Sequence, residues 1–151
     1  MLRIFATVPF VLVALPALGA DISLEFSFVT HTSDRMSQQI GAGDAEKITA
    51  AKAFGVAEFA DGRRAIKKFV YVSGGGAPIA GISNYTFENG DGITATFSVD
   101  ETYTGTYTVV GGTGEYEGAA GSGQFKPAAV EGWGAGGDTL AWTGSFHLTT
   151  K

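Results

Sequence analysis

Short segments in which apolar and polar side chains alternate recur along most of the chain. In the clearest one, Asp21–Val29, the apolar residues all fall on one face: Ile22, Leu24, Phe26 and Phe28. The last such segment, TLAWTGSFHLTT, alternates in the same way. A period of two is typical of a β-strand with one buried face. Since no long stretch follows a helical period, the sequence predicts an all-β protein.

Glycine-containing turns separate these segments at short, regular intervals. Asp61-Gly62 lies between AKAFGVAEF and RRAIKKFVYVS, and Asp-Gly between two strand patterns is a strong hairpin signal. A second reversal is predicted at Asn89–Gly92, between GISNYTFE and ITATFSVD. The polar segment from Thr30 to Lys47 lacks clear alternation and is predicted to be a loop. Eight strands result, which favours a closed barrel or a sandwich.

The chain opens with the layout of a secretory signal. Arg3 precedes an apolar run from Ile4 to about Leu18, and small residues close it at Gly19-Ala20. The run is shorter than the roughly 20 residues that a membrane-spanning helix needs, and this arrangement is typical of a cleaved signal peptide. A buried N-terminal helix or a retained anchor is the alternative. We predict cleavage after Ala20, export to the periplasm or the extracellular space, and one domain over residues 21–151 with no membrane span.

Charge and cysteine content exclude several classes of protein. Without Arg3, nine of the ten basic residues remain against fifteen acidic ones, a net charge of −6. Nucleic-acid binding depends on cationic side chains at the phosphates, so a nucleic-acid partner is not expected. The chain contains no cysteine, which excludes disulfides, thiol nucleophiles and cysteine-ligated metals. We predict neither a cofactor nor a metal site.

The glycine-rich stretch YTVVGGTGEYEGAAGSG, Tyr107–Gly123, fits no nucleotide-binding motif. A Walker loop needs a lysine and a hydroxyl residue after its glycines, and here no lysine occurs before Lys126. The dinucleotide fingerprint also fails, because Gly118 falls one residue too far after Gly112-x-Gly114. The sequence therefore predicts a reversal between two strands at the four residues Gly111, Gly112, Thr113 and Gly114, where the backbone would adopt positive φ.

The same stretch carries a family resemblance. Val109–Ala119, VVGGTGEYEGA, resembles the segment that allene oxide cyclases and dirigent proteins carry between two barrel strands: Gly-Gly-Thr/Ser-Gly, an aromatic residue and a run of small residues. Upstream, Tyr85–Ile93 resembles the preceding hairpin of the cyclases, and Thr102–Tyr107 is similar to their next strand. The resemblance covers roughly residues 85 to 125 and is looser in the N-terminal half.

The resemblance implies an eight-stranded antiparallel up-and-down barrel of the calycin-like, allene oxide cyclase type, often assembled as a trimer. It also implies that the barrel holds a small apolar molecule, derived from a fatty acid or a phenol, and steers its cyclisation or coupling. Such a protein would be an isomerase or cyclase without a cofactor. A non-catalytic lipocalin-like carrier or an envelope scaffold is the alternative.

The resemblance also suggests site residues. Glu25 and Ser27 match positions at which the cyclases place a Glu and an Asn in the cavity, so Glu25 is the candidate to stabilise developing positive charge. The opposite interpretation is that both residues form the solvated face of an ordinary strand. Aromatic residues are the candidates to line the lumen: Tyr85, Tyr103, Tyr107 and Trp142, with Trp133 as a further one.

The basic cluster RRAIKK, Arg63–Lys68, follows a predicted turn. It is a candidate to attract the carboxylate of a fatty-acid guest or an anionic lipid head group. The alternative is that these charges keep an exposed strand from pairing with other chains.

Overall fold

The computed structural model describes residues 19–43, 46–129 and 139–151. In these ranges the chain forms eight strands and a 3-10 turn over Gly114–Tyr116. The strands are β1 (Asp21–Gln39), β2 (Lys47–Phe59), β3 (Arg64–Gly74), β4 (Ala77–Phe87), β5 (Gly92–Val99), β6 (Gly105–Thr113), β7 (Ala120–Pro127) and β8 (Thr139–Thr149). Trp133 and residues 1–18 of the predicted signal peptide lie outside the described residues. The described part includes no helix long and apolar enough to cross a membrane.

The eight strands form a closed barrel. Each strand pairs antiparallel with the next one in the sequence, and β8 returns to pair with β1 from Asp21↔Thr149 to His31↔Thr139. Closure gives every strand a neighbour on each side around the barrel. This arrangement confirms the predicted all-β, eight-stranded antiparallel barrel.

Two predicted hairpins are present at the predicted positions. Gly62, between β2 and β3, has a φ of +88°, and Gly90, between β4 and β5, has a φ of +89°. A side chain is disfavoured in this left-handed region, and glycine adopts it without steric cost. The turns at Asp61-Gly62 and Asn89–Gly92 are therefore confirmed.

The loop predicted between Thr30 and Lys47 is wrong over most of its length. Strand β1 continues to Gln39 and pairs with β2 as far as Gln39↔Lys47, with an irregularity between Thr32 and Asp34. The side chains of residues 33–39 are exposed on both faces of the strand. Since neither face is buried there, the sequence carries no alternation from which the strand could be recognised.

The reversal predicted at Gly111–Gly114 also needs correction, because it begins later. Gly111, Gly112 and Thr113 belong to β6 and pair with residues 94, 93 and 92 of β5. The chain reverses over the following six residues, in which Gly114 and Gly118 have φ values of +63° and +69°. The pattern of glycines located the connection correctly but not the end of the strand.

Aromatic rings fill one half of the lumen. Phe26 has its ring centroid 5.0 Å from those of both Phe59 and Phe146, and Phe59 lies 4.9 Å from Phe87. This half leads to the closed end of the barrel, which we define by the turns β2–β3, β4–β5 and β6–β7. There Arg63 binds Asp61 and Glu115, donates to the Tyr116 hydroxyl at 2.7 Å and covers the Phe87 ring. The opposite, open end contains the site described next.

Candidate functional site

A cavity of about 240 Å³ lies in the half of the lumen toward the open end. Its wall is mainly aromatic, and residues from six strands and the β5–β6 turn contribute to it. Among the side chains that line it are Phe28, Phe69, Phe97, Phe125 and Trp142. Tyr103 and Leu140 line it as well, and both are largely exposed, so they mark its mouth.

Lys67 reaches the cavity from strand β3. Alternation along this strand turns Ala65, Lys67, Phe69 and Tyr71 inward, and turns Ile66 and the other intervening residues outward. Lys67 is only 3% exposed, although Lys68 beside it faces solvent. The two consecutive lysines thus have opposite environments, because successive side chains of a strand point to opposite faces.

The amine of Lys67 sits among aromatic rings. Its Nζ atom lies 3.8 Å from the ring centroid of Phe28 and between 4.9 and 5.5 Å from four further centroids, those of Phe69, Tyr85, Tyr107 and Phe125. None of the ion pairs in the described part of the chain includes this amine. Burial in these surroundings holds the pKa of Lys67 well below its ordinary value, since desolvation disfavours the charged form.

Two tyrosine hydroxyls extend a chain of hydrogen bonds from this amine toward the packed half of the lumen. The Lys67 Nζ atom lies 2.7 Å from the Tyr107 hydroxyl oxygen, and the Tyr85 hydroxyl donates to that oxygen at 2.9 Å. Burial raises the pKa of Tyr85 and of Tyr107, and for Tyr85 the neighbouring hydroxyl of Tyr107 adds to the shift. Both phenols therefore hold their protons at neutral pH and are available as hydrogen-bond donors.

A second polar contact lies nearer the mouth. The Trp142 indole N–H donates to the Thr30 hydroxyl at 3.2 Å, and that hydroxyl lies 3.5 Å from the Leu140 carbonyl oxygen. Thr30 is buried. This contact satisfies the indole N–H inside an apolar wall, as a buried tryptophan requires, and it fixes the ring of Trp142 against Phe28 at a centroid distance of 6.1 Å.

The structure brings the four aromatic lumen candidates to one region. Tyr85 and Tyr107 are fully buried beside Lys67, whereas Trp142 and Tyr103 line the cavity itself. Tyr103 has a φ of +61° in the turn after β5, a conformation that costs a non-glycine residue energy. That backbone conformation occurs in the residue whose ring lies at the cavity mouth.

Glu25 and Ser27 are not brought to the cavity. Both side chains are exposed on the outer face of β1, where they line an open surface depression of about 780 Å³ together with residues of β2, β7 and β8. Leu24, Phe26 and Phe28 occupy the inward positions instead. A catalytic role for Glu25 and Ser27 stays a prediction, and it would have to operate at the outer surface.

Sequence reasoning missed Lys67 as a site residue. The run RRAIKK was interpreted as one basic cluster, although its members alternate between the two faces of a strand. The signal was present in the sequence, because Ala65, Phe69 and Tyr71 share the parity of Lys67. The other face of the strand also contains apolar residues, the exposed Ile66, Val70 and Val72. The sequence therefore does not show which face is inward.

Two solved structures illustrate the similarity of this fold to known proteins. The pterocarpan synthase dirigent protein GePTS1 superposes with a TM-score of 0.63 at 14% sequence identity, over 91% of this chain and 89% of that chain. A pyocyanin demethylase superposes with a TM-score of 0.52 at 13% identity, over 85% of this chain and 99% of that chain. No family model and no curated protein matches the sequence. The fold is a dirigent-like barrel; the finer resemblance to allene oxide cyclases stays a prediction.

Proposed function

We propose that the protein binds a small apolar molecule with an aromatic ring in the lumen cavity and steers its cyclisation or coupling. The observation that carries this proposal is the cavity itself, an aromatic-walled space that ends at the Lys67 amine. The named functions of the structural neighbours, a pterocarpan synthase dirigent protein and a demethylase of pyocyanin, support a reaction on a small organic molecule.

The volume of the cavity limits the guest. An engineered apolar cavity of about 150 Å³ binds benzene, and pockets for drug-sized ligands start near 300 Å³. A space of about 240 Å³ accordingly suits one aromatic ring with small substituents. A larger guest would place one ring inside and extend through the mouth between Tyr103 and Leu140.

Steering would come from orientation. The rings of Phe28, Phe125 and Trp142 offer flat walls, while Lys67 offers a polar atom to one end of the guest. Holding reacting groups in one arrangement is worth up to roughly 7–11 kcal/mol of the barrier, so few catalytic side chains are needed. The carrier alternative is supported by the described lining, which includes neither a carboxylate nor a histidine for proton transfer.

The test is the oxidative coupling of a single-ring phenol, 4-propenylphenol, started by a one-electron oxidant. Without a guiding surface the coupled product is racemic. We expect an enantiomeric excess with the wild-type protein, its loss with Ile79→Phe, which fills the cavity, and its retention with Ile82→Phe. Ile79 lines the cavity, and Ile82 faces outward on the same strand. A racemic product with wild type, despite saturable binding of the phenol, would favour the carrier.

We also propose that the protein is exported, as its signal-like N-terminal segment indicates, and that it assembles as a homotrimer, as the resemblance implies. Support for assembly is an apolar outer surface on β2–β4, formed by Phe54, Val56, Ile66, Val70 and Ile82, each exposed by 43–49%. A contiguous patch of exposed apolar residues often marks an interaction site. Support for cleavage after Ala20 is that β1 begins at the next residue, Asp21.

A further inference from the structure

Lys67 is an unusual group to find in this lumen. Its amine is buried, and in the described part of the chain no carboxylate pairs with it. Burying an ammonium without such a partner is strongly unfavourable. The aromatic rings around Nζ, in contrast, attract a cation. These two effects oppose each other, so the hydrogen bonds of the amine decide which protonation state fits.

The hydrogen bonds fit a neutral amine. If Lys67 were an ammonium, it would donate to Tyr107, and the bond between Tyr107 and Tyr85 would use one hydroxyl proton. The second hydroxyl proton would have no acceptor, since neither tyrosine oxygen has another partner in the described part of the chain. With a neutral amine, Tyr85 donates to Tyr107 and Tyr107 donates to the lone pair of Lys67. Every hydroxyl proton then has an acceptor, as buried polar groups require.

A neutral lysine amine beside a cavity is a nucleophile. Ammonium groups have no lone pair to donate, and desolvation in an apolar pocket is one of the ways in which proteins activate lysine toward carbonyl substrates. We propose, building on the proposed binding of a guest in the lumen, that Lys67 forms an imine with an aldehyde or ketone guest. The guest class is a carbonyl compound on a single aromatic ring, such as a benzaldehyde.

The step balances without a co-reactant. The Lys67 nitrogen lone pair forms a bond to the carbonyl carbon, and the electron pair of the C=O bond moves to oxygen, which takes the Tyr107 proton. The attacking nitrogen returns one proton to Tyr107, giving a neutral carbinolamine. The carbinolamine hydroxyl group then leaves with the remaining nitrogen proton, which Tyr107 relays to it, so that the C=N bond and one water molecule form. Tyr85 supports Tyr107 in this role through its hydrogen bond, and acts as a positioning residue.

Reductive trapping tests the proposal on the whole folded protein. Benzaldehyde and sodium cyanoborohydride at pH 7 convert any imine to a stable benzylamine, which peptide mapping by mass spectrometry assigns to one lysine. We expect Lys67 to be modified roughly tenfold or more faster than any exposed lysine, because an amine in water is almost fully protonated at this pH. The rate at Lys67 should change little between pH 6 and 8.

Variants give the test its controls. Lys67→Met should abolish the fast adduct, and Lys68→Met, one residue away on the outer face, should retain it. Tyr107→Phe should slow imine formation while circular dichroism shows the same fold. Adducts spread evenly over exposed lysines, or an unchanged pattern in Lys67→Met, would overturn the proposal. Saturable binding of toluene in the same protein would show that the lumen still takes a guest, so that only the imine chemistry had failed.

Discussion

At the scale of the residue, the main finding is that one lysine of a basic run belongs to the interior. Lys67 stands on the inward face of β3 and shares its surroundings with two tyrosines and three phenylalanines. Tyr85 and Tyr107 were predictable as lumen residues from the aromatic pattern alone. Lys67 was not predictable as a lumen residue, because lysine is almost never fully buried. Its place in the alternation of β3 was therefore not enough to indicate that it faces inward.

The buried amine makes stability depend on pH. Burial lowers the pKa of Lys67 in the folded state, whereas a lysine in an unfolded chain has a pKa near 10.4. Between the two values the unfolded state binds one more proton, so the free energy of unfolding rises with pH, by up to about 1.4 kcal/mol per unit. We expect this slope in wild type and Lys68→Met but not in Lys67→Met, measured by urea denaturation from pH 6 to 9.

We also expect Lys67→Met to have a higher free energy of unfolding than wild type at pH 6, and this difference should narrow as the pH rises. Methionine fills a similar space without a group that must lose a proton on folding. Parallel curves for wild type and Lys67→Met across the whole pH range would contradict a neutral Lys67.

At the scale of the element, the strands and hairpins followed from alternation and from glycines in turns. What could not be predicted is how far the strands extend where burial stops. The end of β1 pairs with β2 outside the closed barrel, and the end of β6 continues through Gly111 and Gly112. The side chains at the end of β1 are exposed on both faces, and the end of β6 contains two consecutive glycines, so alternation reveals neither extension.

Strand β6 offers a matched pair of glycines that tests how the barrel is packed. Gly105 pairs with Phe125, and a Cβ atom at position 105 would overlap the phenylalanine ring. Gly111, on the same strand, has nothing within 4 Å of such an atom. We expect Gly105→Ala to lower the free energy of unfolding by about 1–3 kcal/mol through overpacking, and Gly111→Ala to leave it unchanged or raise it by up to about 1 kcal/mol.

Chemical denaturation of the two variants beside wild type decides this prediction. Equal stability of Gly105→Ala and Gly111→Ala would mean that the Phe125 ring moves aside at no cost. The wall of the cavity formed by that ring would then be less rigid than the contacts of Phe125 with Tyr107 and Trp142 indicate.

At the scale of the whole molecule, the barrel divides into a packed half and an open half. The sequence predicted the closed barrel, but not which half of the lumen would remain unfilled. That division arises from side-chain volumes on all eight strands at once: Phe26, Phe59 and Phe87 meet in the packed half, whereas Thr30 and Ser73 leave room near the mouth. The outer surface differs as well, since β2–β4 carry the apolar residues named above.

Assembly through that outer surface is testable by a charge substitution. Val70 lies within the apolar surface on β2–β4, and Val110 is similarly exposed on β6. Burying a lysine in an interface between copies is costly, so Val70→Lys should shift the proposed trimer toward monomer in analytical ultracentrifugation, whereas Val110→Lys should not. A monomeric wild-type protein, or a trimer that withstands Val70→Lys, would exclude this surface as the interface.

The most direct test of a guest site in the lumen is an NMR titration of the ¹⁵N-labelled protein with 4-methylphenol. Binding in the lumen predicts saturable shifts of the Trp142 indole N–H and of the backbone around Phe28 and Lys67, lost in Ile79→Phe and kept in Ile82→Phe. Shifts confined to outward-facing residues such as Glu25 and Ser27, or identical titrations of the two isoleucine variants, would contradict a guest site in the lumen.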